Sequence, residues 1–192
     1  MSGPVVHLIG PGGAGKSTAG ALLARELGYC LLDLDEVFRA QTGDISAYLA
    51  SHTYLEYASQ SFGNYRRAVE RISGPTVFVL SSGFMVYPPE IDPGYLATRD
   101  AIERDALTFL LMPSFELESC VSIIVERQLA RPFLPGNRDS EERRIRERYG
   151  CYAALGCQRV STEVPPERVV SDLIARMAAK GHRQPADSSG RP

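Results

Sequence analysis

The stretch that most constrains this chain is "GPGGAGKST", residues 10–18. It fits G-x-x-x-x-G-K-[ST] through Gly10, Gly15, Lys16 and Ser17. It follows the apolar run "VVHLI" (5–9) and opens an amphipathic stretch near 16–27. A strand, a glycine-rich turn and a helix in that order are the context a phosphate loop requires. Glycines let such a loop wrap an anion with its backbone N–H groups pointing inward, and the helix N-terminus adds its dipole. Gly12, Gly13, Ala14, Gly15, Lys16, Ser17 and Thr18 are the expected nucleotide-binding residues, with Lys16 reaching the β- and γ-phosphates. Ser17 offers a hydroxyl to Mg²⁺, while Thr18 is expected to interact within the loop or helix. ATP and Mg²⁺ are the cofactors this loop implies.

The rest of the chain agrees with such a loop. Short apolar runs at "CLLDL" (30–34), "TVFVL" (76–80), "TFLLM" (108–112) and "QRVST" (158–162) alternate with helical patterns near 54–72, 96–105, 115–129, 139–155 and 167–180. Strands bounded by Gly or Pro and separated by helices imply βαβ units around a buried parallel sheet. The predicted class is therefore α/β and three-layered, with ligands beyond the carboxyl ends of the strands. A length of 192 residues, 44% of them hydrophobic, suits a single domain, expected over 1–180, with a polar disordered tail at 181–192. Net charge is −2, which gives no reason to expect nucleic acid or a membrane surface as partner. The four cysteines form no C-x-x-C pair, and the N-terminal apolar run is too short for a signal peptide or a membrane span. A cytoplasmic monomer with reduced thiols, acting on a small molecule, is the expectation.

"LLDLDEVF" (31–38) places two carboxylates, Asp33 and Asp35, at the end of an apolar run. Two residues apart on a strand, they would project to the same side. Near a phosphate loop, Asp33 is placed to organise Mg²⁺, through water, because that ion keeps much of its hydration shell. Asp35 is the candidate to orient or deprotonate an attacking hydroxyl. The alternative is that Asp35 caps the helix that follows, with Glu36 in its first turn.

Three separated segments together resemble the shikimate kinase family. The first runs from the phosphate loop through "LLDLDEVF", similar to the family's D-x-D segment. The second is "NYRRAVERI" (64–72), similar to its F-R-x-x-E helix. The third is "RPFL" (131–134), similar to the R-P-L-L of its lid, followed by "RERYGCY" (146–152), similar to R-x-P-L-Y. The resemblance implies a five-stranded parallel sheet in order 2-3-1-4-5, with helices on both faces and a mobile lid at about 131–140. It implies that Asp35 holds the acceptor hydroxyl, that Arg66 and Arg148 grip the substrate carboxylate, and that Arg131 closes over the transferring phosphate. Lys16, Asp35 and Arg131 would then be catalytic, and Ser17 and Asp33 would serve the metal. The implied activity is phosphorylation of shikimate to shikimate 3-phosphate, within aromatic amino acid biosynthesis. Arg67 rivals Arg66, because adjacent helical residues face different directions. "EERRIRERYG" (141–150) reads mainly as a charged helix surface, and Arg148 at its aromatic end is open to either reading. The tyrosine-rich "YLASHTYLEY" (48–57) reads as helix packing.

One segment departs from the family. Where three glycines follow the third strand of its members, this chain has Ser81, Ser82 and Gly83. Ser82 and Gly83 are expected to meet the substrate, and two added side chains predict a reshaped pocket. Two other readings stand beside a shikimate kinase: a kinase for another polyol, such as gluconate or a cyclitol, and a nucleotide-binding regulator without catalysis.

Overall fold

A computed structural model describes residues 3–130 and 137–181. Among these residues, five strands, β1 (Val5–Ile9), β2 (Cys30–Asp33), β3 (Thr76–Val79), β4 (Thr108–Met112) and β5 (Gln158–Ser161), form one sheet in the order β2-β3-β1-β4-β5. Every pairing is parallel. The predicted class, strand number and order 2-3-1-4-5 are all found.

Alternation along the strands sorts the core into two halves. Val6, Leu8, Val77, Val79, Phe109, Leu111 and Val160 face α1 (Lys16–Leu27) and α8 (Pro166–Ala179). Ile9, Phe78, Leu80, Leu110 and Met112 face the other helices. These are α2 (Leu34–Thr42), α3 (Ile45–Ser51), α4 (Tyr54–Glu70), α5 (Tyr95–Arg104), α6 (Leu117–Leu129) and α7 (Arg138–Ala153). Both faces of the sheet are thus covered, which explains the nearly continuous apolar runs of its central strands. No helix among the described residues is long and apolar enough to cross a membrane. The four cysteines are free thiols.

Two local features differ from expectation. The chain leaves β2 at Asp33 and enters α2 at once, so Asp33 and Asp35 do not share a strand face. Asp33 is itself the helix cap: its side chain accepts the Asp35 N–H at 3.0 Å, which displaces Asp35 from the capping role into the first turn. α3 lies in a stretch where no separate helix is predicted. It carries a short apolar stripe, Ile45, Tyr48 and Leu49, of which Ile45 and Tyr48 pack partly buried against the core, and it starts on an Asp44 cap to Ala47 N–H at 2.9 Å. Of the expected lid, 138–140 are the first turn of α7, with Asn137 as its cap. Residues 131–136, Arg131 among them, and the tail from 182 lie outside the described residues.

Candidate functional site

β1 delivers the phosphate loop to the carboxyl edge of the sheet, where it turns into α1. Gly13 and Gly15 adopt φ of 79° and 87°, a left-handed conformation that lets the loop curl without strain on a side chain. Gly15 caps α1 with no side-chain hydrogen bond, so no cap side chain satisfies the first helical N–H groups. Donors of this kind are what an anion at a helix N-terminus binds. Lys16 is 8% exposed, and its Nζ donates to Gly10 O at 2.8 Å and Pro11 O at 3.0 Å, which holds the ammonium against the loop. Arg127 of α6 braces the loop from behind, donating to Gly13 O and to the carbonyl of Thr162.

The loop forms one wall of a cleft of about 740 Å³. Gly12 to Thr18, Asp33 and Asp35 all line it, although the two acids do not share a strand. Ser17 Oγ donates to Asp33 Oδ2 at 2.8 Å, which joins two hard oxygen donors at the mouth of the loop. That pair fits Mg²⁺, which is held by one or two protein oxygens together with phosphates and water rather than by a full protein cage. Among the described residues no group of three or more His, Cys, Asp or Glu is placed to hold a metal ion.

The opposite wall is built from distant parts of the chain. Ser82 and Gly83, just beyond β3, line the cleft, and a Cβ placed on Gly12 would lie 3.7 Å from Ser82 Cβ. The Ser82 carbonyl accepts the Tyr152 hydroxyl of α7 at 2.6 Å, which fixes that turn. Gly83 has no room for a side chain: a Cβ there would lie 2.5 Å from the Tyr54 hydroxyl and 2.8 Å from the Tyr87 ring. Ser81 turns inward, is 3% exposed, and donates to Asp35 Oδ1 at 2.6 Å.

Arg148 of α7 reaches the cleft, donating to the Tyr54 hydroxyl at 3.2 Å with its guanidinium carbon 5.8 Å from that ring's centroid. Arg66 does not. Its side chain is 57% exposed and pairs with Asp92 at 3.5 Å. At about 100° per residue, Arg66 sits on the side of α4 opposite Tyr57, which does line the cleft. Arg67 is directed to Gln41 and Asn64 instead. Neither arginine of the "NYRR" pair joins Arg148.

Several lining residues escape a sequence reading. Tyr54 and Tyr57 face the cleft, so the tyrosine-rich segment does more than pack helices. Burial raises the titration of both hydroxyls and keeps them as phenols. Arg144 also lines the site, paired with Glu141 at 3.1 Å, and its spacing of four from Arg148 on α7 was the available signal. Arg146, by contrast, is a surface residue held by Glu118 and Glu142. Arg39, Ile45 and Leu49 come from the short helices α2 and α3. Gln128 lies beside Gly12, and its Oε1 is buried without a partner among the described residues.

Comparison with known proteins agrees with this geometry. The sequence profile of the shikimate kinase family matches residues 12–178. The shikimate kinase of Rhodopseudomonas palustris is 32% identical over 178 residues, covering 91% of this chain and 80% of that protein. The shikimate kinase of Thermobifida fusca is 30% identical over 183 residues, covering 91% and 95%. Among solved structures, shikimate kinase from Acinetobacter baumannii in complex with shikimate superposes with a TM-score of 0.70 at 20% identity, covering 93% of this chain and 94% of that one. A gluconokinase from Sinorhizobium meliloti shares the fold more loosely, with a TM-score of 0.55 at 18% identity and 93% of each chain covered. A match of this extent, on a phosphate loop that faces two carboxylates across one cleft, places the chain in the shikimate kinase family.

Proposed function

We propose that this protein transfers the γ-phosphoryl group of ATP to a hydroxyl of a small hydroxylated acid, with shikimate, giving shikimate 3-phosphate, as the acceptor. The observation that carries the reading is the single cleft onto which the phosphate loop, the Ser17–Asp33 pair and Asp35 all converge. Backbone N–H groups of residues 12–18 cradle the phosphates, and Lys16 exchanges its loop carbonyls for phosphate oxygens. Ser17 and Asp33 would hold Mg²⁺, which would supply positive charge to offset that developing on the phosphate oxygens. Asp35 accepts the proton of the acceptor hydroxyl as its oxygen bonds to the γ-phosphorus, and the bond to the bridging oxygen breaks to leave ADP. Arg148 takes the acceptor carboxylate, a group that guanidinium suits by charge and geometry. Arg131 is assigned to the transferring phosphate from its motif alone.

A second reading, a polyol such as gluconate or a cyclitol as acceptor, has one specific observation in its favour. Helix α4 gives the cleft Tyr54 and Tyr57 in place of an arginine, so its contribution there is uncharged. ADP release with shikimate, its carboxamide, gluconate and a cyclitol separates the readings. Turnover that needs shikimate and fails with the carboxamide supports the first. Preference for gluconate or the cyclitol supports the second. Nucleotide binding with no acceptor-dependent turnover by the panel would overturn both in favour of a regulator.

A further inference from the structure

Behind Asp35 lies a set of buried hydroxyls that the transfer step above does not use. Ser81 donates to Asp35 Oδ1 at 2.6 Å, a contact across 46 positions of sequence. Tyr57 packs beside Tyr87, with ring centroids 6.2 Å apart. Tyr87 in turn donates to Ser61 at 3.0 Å. Ser61 is fully buried, and Ser81, Tyr57 and Tyr87 are 3%, 7% and 3% exposed.

Each hydroxyl has one proton to give. The proton of Ser81 is committed to Asp35 and that of Tyr87 to Ser61. The backbone of Asp35 is fixed independently by its N–H to Asp33 Oδ1. Among the described residues, Asp35 Oδ2 has no hydrogen-bond partner, while Asp35 lines the cleft.

We propose that Ser81 is a positioning residue that clamps one oxygen of Asp35 so that the other meets the acceptor hydroxyl. The inference rests on the kinase reading above for its effect on rate, but not for the contact itself. A carboxylate that is free to rotate loses the alignment on which proton transfer depends, and a displacement of about 1 Å can lower a rate about 100-fold. Replacing Ser81 should therefore act on kcat and leave KM nearly alone, because Ser81 does not line the cleft.

The test uses full-length protein with ¹³C-carboxyl aspartate, the Asp35 resonance being assigned by Asp35→Asn. At fixed pH, Ser81→Ala should move the Asp35 carboxyl signal and leave that of Asp92 in place. Ser81→Thr, which keeps the hydroxyl, should return it. In parallel, Ser81→Ala should lower kcat with shikimate about 10- to 100-fold with KM within about twofold, and Ser81→Thr should restore it. An unmoved Asp35 signal in Ser81→Ala overturns the proposal whatever the acceptor, as does a moved signal with unchanged kcat. A moved and rescued signal in a protein whose wild type does not phosphorylate shikimate supports the clamp and overturns the acceptor instead.

Discussion

The two walls of the cleft are made in opposite ways. The phosphate wall is nine consecutive residues, 10–18, that act mainly through backbone and a helix terminus. The acceptor wall is assembled from side chains on α2, α3, α4, α7 and the turn after β3. A backbone cradle depends on its glycines, Lys16 and Ser17, and it binds whatever carries the right phosphates. A wall of dispersed side chains can be rebuilt piece by piece. Here Ser81 holds Asp35, while Tyr54 and Tyr57 occupy the surface that α4 presents. The phosphate wall is of a kind common to nucleotide-binding proteins, the family match runs through residues 12–178, and on the proposed reading the opposite wall selects the acceptor.

The comparison is tested most severely on its phosphate side. Lys16→Met should remove turnover with every acceptor alike, a loss of at least about a thousandfold, since it takes away charge stabilisation common to all transfers. Residual activity that depends on which acceptor is present would mean that the walls do not divide the work as described. Next in size is Asp35→Asn, expected to lower kcat by about two to four orders of magnitude with Mg·ATP affinity kept, measured by steady-state kinetics beside nucleotide titration. A near-wild-type rate would remove Asp35 from the proton transfer.

Both walls hang on one scaffold, and His7 offers a way to see it. This residue of β1 is 7% exposed, and burial lowers its titration from 6.5 to about 4, with Asp105 opposing the shift only partly. The folded state therefore binds fewer protons than the unfolded state between those values. Stability should fall as pH drops from 6.5 toward 4, by about 3 kcal/mol in all, and His7→Leu should flatten that slope. Denaturant titrations across this range measure it. Nucleotide and acceptor binding should disappear together as the protein unfolds, and loss of one well before the other would make the two walls separate units.

Smaller effects sharpen the acceptor wall. Arg148→Ala should weaken binding of an acidic acceptor by about 1.5–3 kcal/mol, the value of a charge-assisted contact, and leave ATP binding intact. Arg66→Ala should change acceptor affinity by less than about twofold, because an exposed pair such as Arg66–Asp92 contributes little. Calorimetry on both variants checks the difference. An equal loss at Arg66 would restore it to the site.

These contrasts also explain what a sequence reading can reach. The phosphate loop is contiguous, so its glycines, Lys16 and Ser17 are legible from spacing alone; the strand pattern that supports it gives the α/β class, whereas the sheet order follows from the family resemblance. Arg66 misleads because its motif neighbours are right while its helical phase is wrong, and phase is set by how α4 packs rather than by local pattern. The Ser81–Asp35 contact joins residues 46 positions apart, and no periodicity connects them. α3 is missed for a different reason, since seven residues with one short stripe, Ile45, Tyr48 and Leu49, are too few for a clear helical period.

The most direct test of the central claim is the fate of the γ-phosphoryl group. ³¹P NMR of wild-type protein incubated with Mg·ATP and shikimate should reveal a phosphomonoester coupled to a ring proton of the acceptor, growing in step with ADP and absent with Lys16→Met. ADP accompanied only by inorganic phosphate, or no loss of ATP at all, would contradict phosphoryl transfer to this acceptor.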